Sequence, residues 1–261
     1  MSKPTLFCGQ GCGAAAVEML TGVFKAFEEQ HITIDKVLAS SGSALFTGLY
    51  FSKHDSAWFR DLMENKEFTD FVDMKPVQAI KSINGYSNYI YDNTGVFNLL
   101  KKEMTGDATR KITVSTTRVA DMKSVMFPAT PSTVLAATSI PVVFPPTMIS
   151  GKLYCDGGVK NNIPLPKISQ LADFETVYIF LAPATYYSEP KNLLETGLNL
   201  LNAIMDREVE QLQEAGYLDH ANVKLIRCDS LLSGGLLKWS DNFELREDAY
   251  KVAGNVLGVN K

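Results

Sequence analysis

The chain has 261 residues, 46% of them hydrophobic and 21% charged, with mean hydropathy of -0.01 and a formal net charge of -4. Such a composition suits one folded α/β domain and excludes the disordered and membrane-embedded classes. A sequence pI near 5.5 lacks the basic footprint of a nucleic-acid binder, so no nucleic-acid partner is expected.

Residues 5–8 read as a short apolar strand running into the turn Gly9-Gln10-Gly11-Cys12-Gly13. Residues 14–30 predict a helix, because Val17, Leu20, Val23, Phe24 and Phe27 recur at three- and four-residue steps along one stripe. Asp35 leads into a second strand at 36–39, which ends in Ser40-Ser41-Gly42-Ser43, and a helix resumes over 44–50. Residues 51–104 look helical and loop-like, with Trp58, Phe59, Leu62, Phe68 and Phe71 as apolar anchors. That stretch predicts a helical excursion off the sheet, a place for a substrate cap. Strands follow at 111–116 and 124–127, joined around Asp121, then a short helix at 134–137 that ends before Pro141. Leu153-Tyr154-Cys155 runs into Asp156-Gly157-Gly158. A buried strand at 176–181, an amphipathic helix at 193–215, a last strand at 223–228 and a helix at 244–257 complete the chain. The order is that of a parallel α/β sheet. With no repeat or linker in view, residues 1–261 are expected to form a single domain.

Of the four cysteines, Cys8 and Cys12 share the glycine turn while Cys155 and Cys228 lie in apolar runs. No second close pair completes a zinc spacing, so buried free thiols in a reducing compartment are expected, with no metal and no cofactor. The N-terminus has no long apolar core of a signal peptide, and no apolar run reaches the roughly 18–20 residues that span a bilayer. The expectation is a cytoplasmic protein, with peripheral contact at a membrane surface left open.

A serine that attacks esters has to stand on a sharp strand-to-helix turn among small neighbours. Ala39-Ser40-Ser41-Gly42-Ser43 has that shape, and the following helix points its positive end at a developing oxyanion. With Ser41 as nucleophile every close neighbour is small, whereas Ser40 would put Leu38 in the tight turn. Taken alone, the segment also fits a plain N-capping serine. Gly9-Gln10-Gly11-Cys12 can turn backbone N–H groups toward one anionic oxygen. Gly9-x-Gly11-x-x-Ala14 equally fits a dinucleotide loop, but the second strand then lacks its terminal acidic residue. Asp156-Gly157-Gly158 places an aspartate on a tight turn, where burial would raise its carboxyl from about 3.9 toward a useful base. A surface Asp-Gly hairpin is the alternative there. The order Ser41, Asp156, His220 imitates a hydrolase triad, but His220 precedes the last strand instead of following one.

These residues resemble the patatin-like phospholipases. The strongest stretch runs from Ser139-Ile140-Pro141-Val142-Val143-Phe144-Pro145-Pro146 through Asp156-Gly157-Gly158-Val159 to Asn162-Ile163-Pro164. Residues 35–45 are similar to the family's elbow, and residues 9–14 stand where it has its glycine-rich oxyanion motif. The resemblance covers roughly residues 5 to 260 and thins between 51 and 104. It implies a three-layer α/β/α sandwich around a mainly parallel sheet. It also implies a Ser41–Asp156 dyad cleaving phospholipid or lysophospholipid esters without a metal, and an oxyanion hole at Gly9, Gln10, Gly11 and Cys12. Gln10, Gly13 and Ala14 depart from the oxyanion motif, and Ala39 and Ser43 replace the elbow glycines. A weakened relative that binds lipid or a partner protein is therefore the alternative reading.

Overall fold

The computed structural model describes residues 2–52, 54–66, 70–74, 89, 91–104, 111–182, 188–191, 193–228 and 243–259. Strand β1 (Leu6–Gly9) is buried along its whole length and leads into α1 (Ala15–Glu29). Strand β2 (Lys36–Ser40) passes directly into α2 (Ser41–Tyr50). The helix thus begins three residues ahead of the predicted 44, because the elbow itself supplies its first turn. After α3 (Ser56–Asn65), a two-stranded ladder pairs β3 (Asp73–Met74) with β4 (Tyr91–Asp92), and α4 (Thr94–Glu103) follows.

Strands β5 (Ile112–Arg118) and β6 (Lys123–Pro128) form a hairpin, followed by α5 (Pro131–Ala137). That helix starts ahead of the predicted 134: Thr130 and Thr133 form a capping box and Pro131 opens the first turn. A second hairpin joins β7 (Thr147–Ile149) to β8 (Lys152–Asp156). Three residues are too few for an alternating pattern, which is why β7 is silent in the sequence. Strand β9 (Val177–Leu181), helix α6 (Leu193–Glu214), strand β10 (Val223–Arg227) and helix α7 (Phe243–Leu257) close the described chain.

The main sheet runs β10-β9-β1-β2-β5-β8-β7, with β6 also on β5. From β10 to β5 every pairing is parallel, whereas β6, β8 and β7 pair antiparallel at one end. Alternation of side chains sends Phe7, Val37, Val114, Tyr178 and Phe180 into one core with α1, α2, α5 and α7. It sends Leu6, Cys8, Val177, Ile179 and Leu181 into a second core with Leu212 of α6. The result is the three-layer α/β/α sandwich with a mainly parallel sheet.

Of the apolar anchors expected in the excursion, Phe59 is fully buried in the first core, with Trp58, Leu62 and Phe71 packed against it. Phe68 lies outside the described residues, as do residues 75–88. Among the described residues no helix is long and apolar enough to cross a membrane.

Candidate active site

Strand β5 brings the two distant segments together. Its one edge pairs with β6, while the other is shared end to end: Ser115 partners Ser40 of β2, and the next residue, Thr116, partners Asp156 of β8. Asp156 therefore lies in the sheet one step beyond the end of β2, where Ser41 begins α2. Ser41 Oγ donates a hydrogen bond to Asp156 Oδ2 at 2.7 Å across 115 residues of sequence. Both are buried, at 3% and 1% exposure. Ser41 holds φ at +48°, a left-handed conformation that costs a residue with a Cβ of order 1–2 kcal/mol. Such strain is expected where a tight turn presents a side chain.

Burial pushes the Asp156 carboxyl up to about 7, against the opposing pull of hydrogen bonds from Ser41 and from the Gly158 N–H. The Gly158 bond to Oδ1 is 2.7 Å and leaves Oδ2 to face the serine. A carboxylate at that value is half ionised near neutrality, which suits a proton acceptor.

Three elements pin the glycine turn. Gln10 N–H donates to the Phe180 carbonyl, and Gln10 Oε1 accepts from Ala182 N–H at 2.8 Å. The Ser43 hydroxyl donates to the Gln10 carbonyl. Asn162 clasps Gly11 from both sides, its carbonyl accepting the Gly11 N–H and its Nδ2 donating to the Gly11 carbonyl at 3.0 Å. Two departures from the family's glycines thus carry bonds of their own: Gln10 extends the β1–β9 ladder, and Ser43 ties elbow to loop. Ala39 is fully buried in the first core. The glycines that remain have no room for more. A Cβ on Gly42 would stand 2.0 Å from the Gly13 carbonyl oxygen, and one on Gly11 would stand 2.6 Å from Ser41 Cβ.

The expected oxyanion residues therefore divide. Gly9 belongs to the β1 ladder, and the Gln10 and Gly11 N–H groups are bonded to carbonyls. Cys12 and Gly13 N–H have no hydrogen-bond acceptor among the described residues. The Cys12 thiol is buried and its ionisation suppressed by that burial, as is that of Cys8. All four cysteines are free and buried.

None of the histidines joins the pair. His220 precedes β10, which runs parallel to its neighbours, so it lies at the opposite end of the sheet from Ser41. His31 follows the far end of α1. His54 follows the far end of α2, half-buried, stacked on Trp58 and 3.3 Å from Glu103. A cleft of about 470 Å³ opens at the N-terminal ends of β1, β2 and β5, between Leu6, Lys36, Lys111 and Phe174, remote from Ser41.

A family model described as patatin-like phospholipase matches residues 8–167, more than half the chain and both halves of the pair. The chain belongs to the patatin-like phospholipase family. No curated protein sequence matches this patatin-like chain. Among solved structures, VipD from Legionella pneumophila is similar with a TM-score of 0.51 at 12% identity, over 99% of this chain and 67% of VipD. The type III effector protein ExoU is similar with a TM-score of 0.49 at 12% identity, over 98% of this chain and 54% of ExoU. The VipD likeness speaks for the patatin fold alone. The chain spans about two thirds of VipD and about half of ExoU. Asn162 is the site residue that sequence reasoning missed as a functional part. It stands in the motif block after Asp156-Gly157-Gly158, but its bond to Gly11 is visible only in three dimensions.

Proposed function

We propose that the chain is a serine lipid acyl hydrolase, a phospholipase A or lysophospholipase working through a Ser41–Asp156 dyad. One observation carries the reading: a serine hydroxyl on a strained elbow donates at 2.7 Å to a buried carboxylate held near neutral pKa. Asp156 takes the Ser41 proton as Oγ attacks the ester carbonyl, and returns it to the departing alcohol. Water activated by the same carboxylate then releases the fatty acid from the acyl-serine. The oxyanion is held by backbone donors in and around the glycine turn. Cys12 N–H keeps its expected role, while Gly13 N–H replaces the engaged Gly11, and Gly42 N–H adds the first turn of α2.

The rival reading, a family member reduced to binding lipid or a partner, rests on the departures from the glycine motifs. Gln10 and Ser43 carry bonds that hold the site together, which weakens that argument. Hydrolysis of a short-chain ester and labelling by a fluorophosphonate probe test the two together. Wild type is expected to label and turn over, and Ser41→Ala and Asp156→Ala to lose turnover on the order of 10³-fold or more. Unchanged turnover in either variant rejects the dyad; a wild type that neither labels nor hydrolyses returns the binding module.

A further inference from the structure

The cleft of about 470 Å³ at the N-terminal ends of β1, β2 and β5 has a floor that strand register fixes. Val37 opposes Ile112 and Leu38 opposes Thr113, and Val37 and Ile112 belong to the first core. Lys36, Leu38, Lys111 and Thr113 therefore stand on the other face of the sheet, and all four line the cleft. Lys36 has Leu6 of the second core on one side. On its other side is Lys111, whose carbonyl accepts the Val37 N–H at 2.9 Å. The 3-10 turn Ile168–Asp173 and its flanking Pro166 and Phe174 form a wall. The Glu175 N–H ties that wall to the Pro4 carbonyl at 3.0 Å.

Like charges side by side on neighbouring strands repel one another. Lys36 and Lys111 are both exposed, and among the described residues neither makes an ion pair. The Lys36 ammonium instead lies 5.8 Å from the centre of the Phe174 ring. Asp173 is the acidic side chain on the lining among the described residues, so two ammoniums against one carboxylate leave a surplus of one positive charge. That surplus stands in a chain of net charge -4. The surface beside it is apolar, with Pro4, Leu38, Pro166 and Phe174 half-buried and each partly open. The volume falls within the range of about 300–1,000 Å³ that small-molecule sites occupy. A single surplus charge at the edge of an apolar floor fits a ligand with one anionic end and a hydrocarbon body. We propose that this cleft binds a long-chain carboxylate of the fatty-acid class. Its head sits between Lys36 and Lys111 and its chain runs along Leu38, Pro166 and Phe174. The site is separate from the dyad, since Ser41 lies five residues further along β2, roughly 16 Å away. Acyl-ester hydrolysis releases such an anion, but the cleft takes it whether or not this chain carries out that reaction.

Calorimetric titration with laurate, below its micellar concentration, reads the site. Wild-type protein is expected to bind laurate, with affinity rising by up to about fourfold per methylene from hexanoate. Dodecanol, which lacks the charge, and inorganic phosphate, which lacks the chain, should each bind roughly tenfold or more weakly. Lys36→Gln/Lys111→Gln should lose roughly tenfold or more in laurate affinity, whereas Lys36→Arg/Lys111→Arg should keep most of it. Both should hydrolyse a water-soluble short-chain ester as wild type does. The glutamine variant removes a repulsion between exposed side chains, so its melting temperature should not fall below that of wild type. In Ser41→Ala, which leaves the ester uncut, laurate should bind as in wild type and the ester should not displace it. Equal laurate affinity in the glutamine variant and wild type overturns the proposal. So does a wild type that ignores laurate or takes phosphate as tightly, and so does laurate that the ester displaces, which belongs to the catalytic end. A chain that binds laurate through these lysines but cleaves no ester keeps the cleft and sinks the dyad; cleavage without laurate binding does the reverse.

Discussion

Asp156 is held against its own preference. Free aspartate ionises near 3.8, but burial keeps this carboxyl protonated until about 7, so the folded state binds a proton that the unfolded chain has released. The sign follows: between those two values stability falls as pH rises, by roughly 4 kcal/mol over the window, while the ionised fraction needed for proton abstraction grows. Activity is therefore expected to climb with pH through about 7, and thermal unfolding to show the opposing trend below it. Asp156→Asn should abolish turnover yet melt higher than wild type at pH 8, with a flatter stability profile between pH 4 and 7; an unchanged profile would mean that burial does not cost this carboxylate its charge. Asn162 acts on the same chemistry at one remove. Asn162→Ala removes the side-chain half of the Gly11 clasp and should lower kcat by about 10–100-fold, with a stability loss of about 1–3 kcal/mol in urea titration. Fluorophosphonate labelling should slow in proportion, since Ser41 itself is untouched.

At the scale of elements, the elbow is a meeting of backbones. Gly42→Ala would drive a methyl into the Gly13 carbonyl, so β2, α2 and the glycine turn could not all keep their places. The expected cost is about 3 kcal/mol or more, read as a lowered melting temperature alongside lost hydrolysis. Strand and helix positions around this site were legible because strong apolar periodicity, Gly-rich turns and the Asp-Gly-Gly block are all local signals. The start of α2 was not, since Ser41-Gly42-Ser43 is poor helix material until the packing of Gly13 and Ala16 against it sets the turn. Nor was the bonding of the N–H groups in the glycine turn. Which N–H of residues 9–13 stays free depends on Phe180 and Asn162, partners far along the chain. Gln10 and Ser43 read as losses in a motif and turn out to be replacements, because sequence lists what a residue is not and structure gives what it bonds to.

On the scale of the whole molecule, the last helix is bolted to the first. Arg246 of α7 reaches Glu18 of α1 at 3.3 Å with both side chains buried, and Gly22 lets the helices close to where a Cβ would stand 2.1 Å from the Arg246 carbonyl oxygen. Arg246→Ala leaves a carboxylate in the core and should cost about 3–5 kcal/mol by denaturant unfolding, with the ester chemistry of the surviving folded fraction intact. The shared edge of β5 has a different kind of consequence. Two neighbouring peptide units, at Ser115 and Thr116, act as a ruler on which the Ser41 elbow and Asp156 are separately clipped. Everything between the clips can lengthen, shrink or be rebuilt, and the gap between hydroxyl and carboxylate stays the same. A slip of one notch by β8, however, would turn the aspartate to the other side of the sheet.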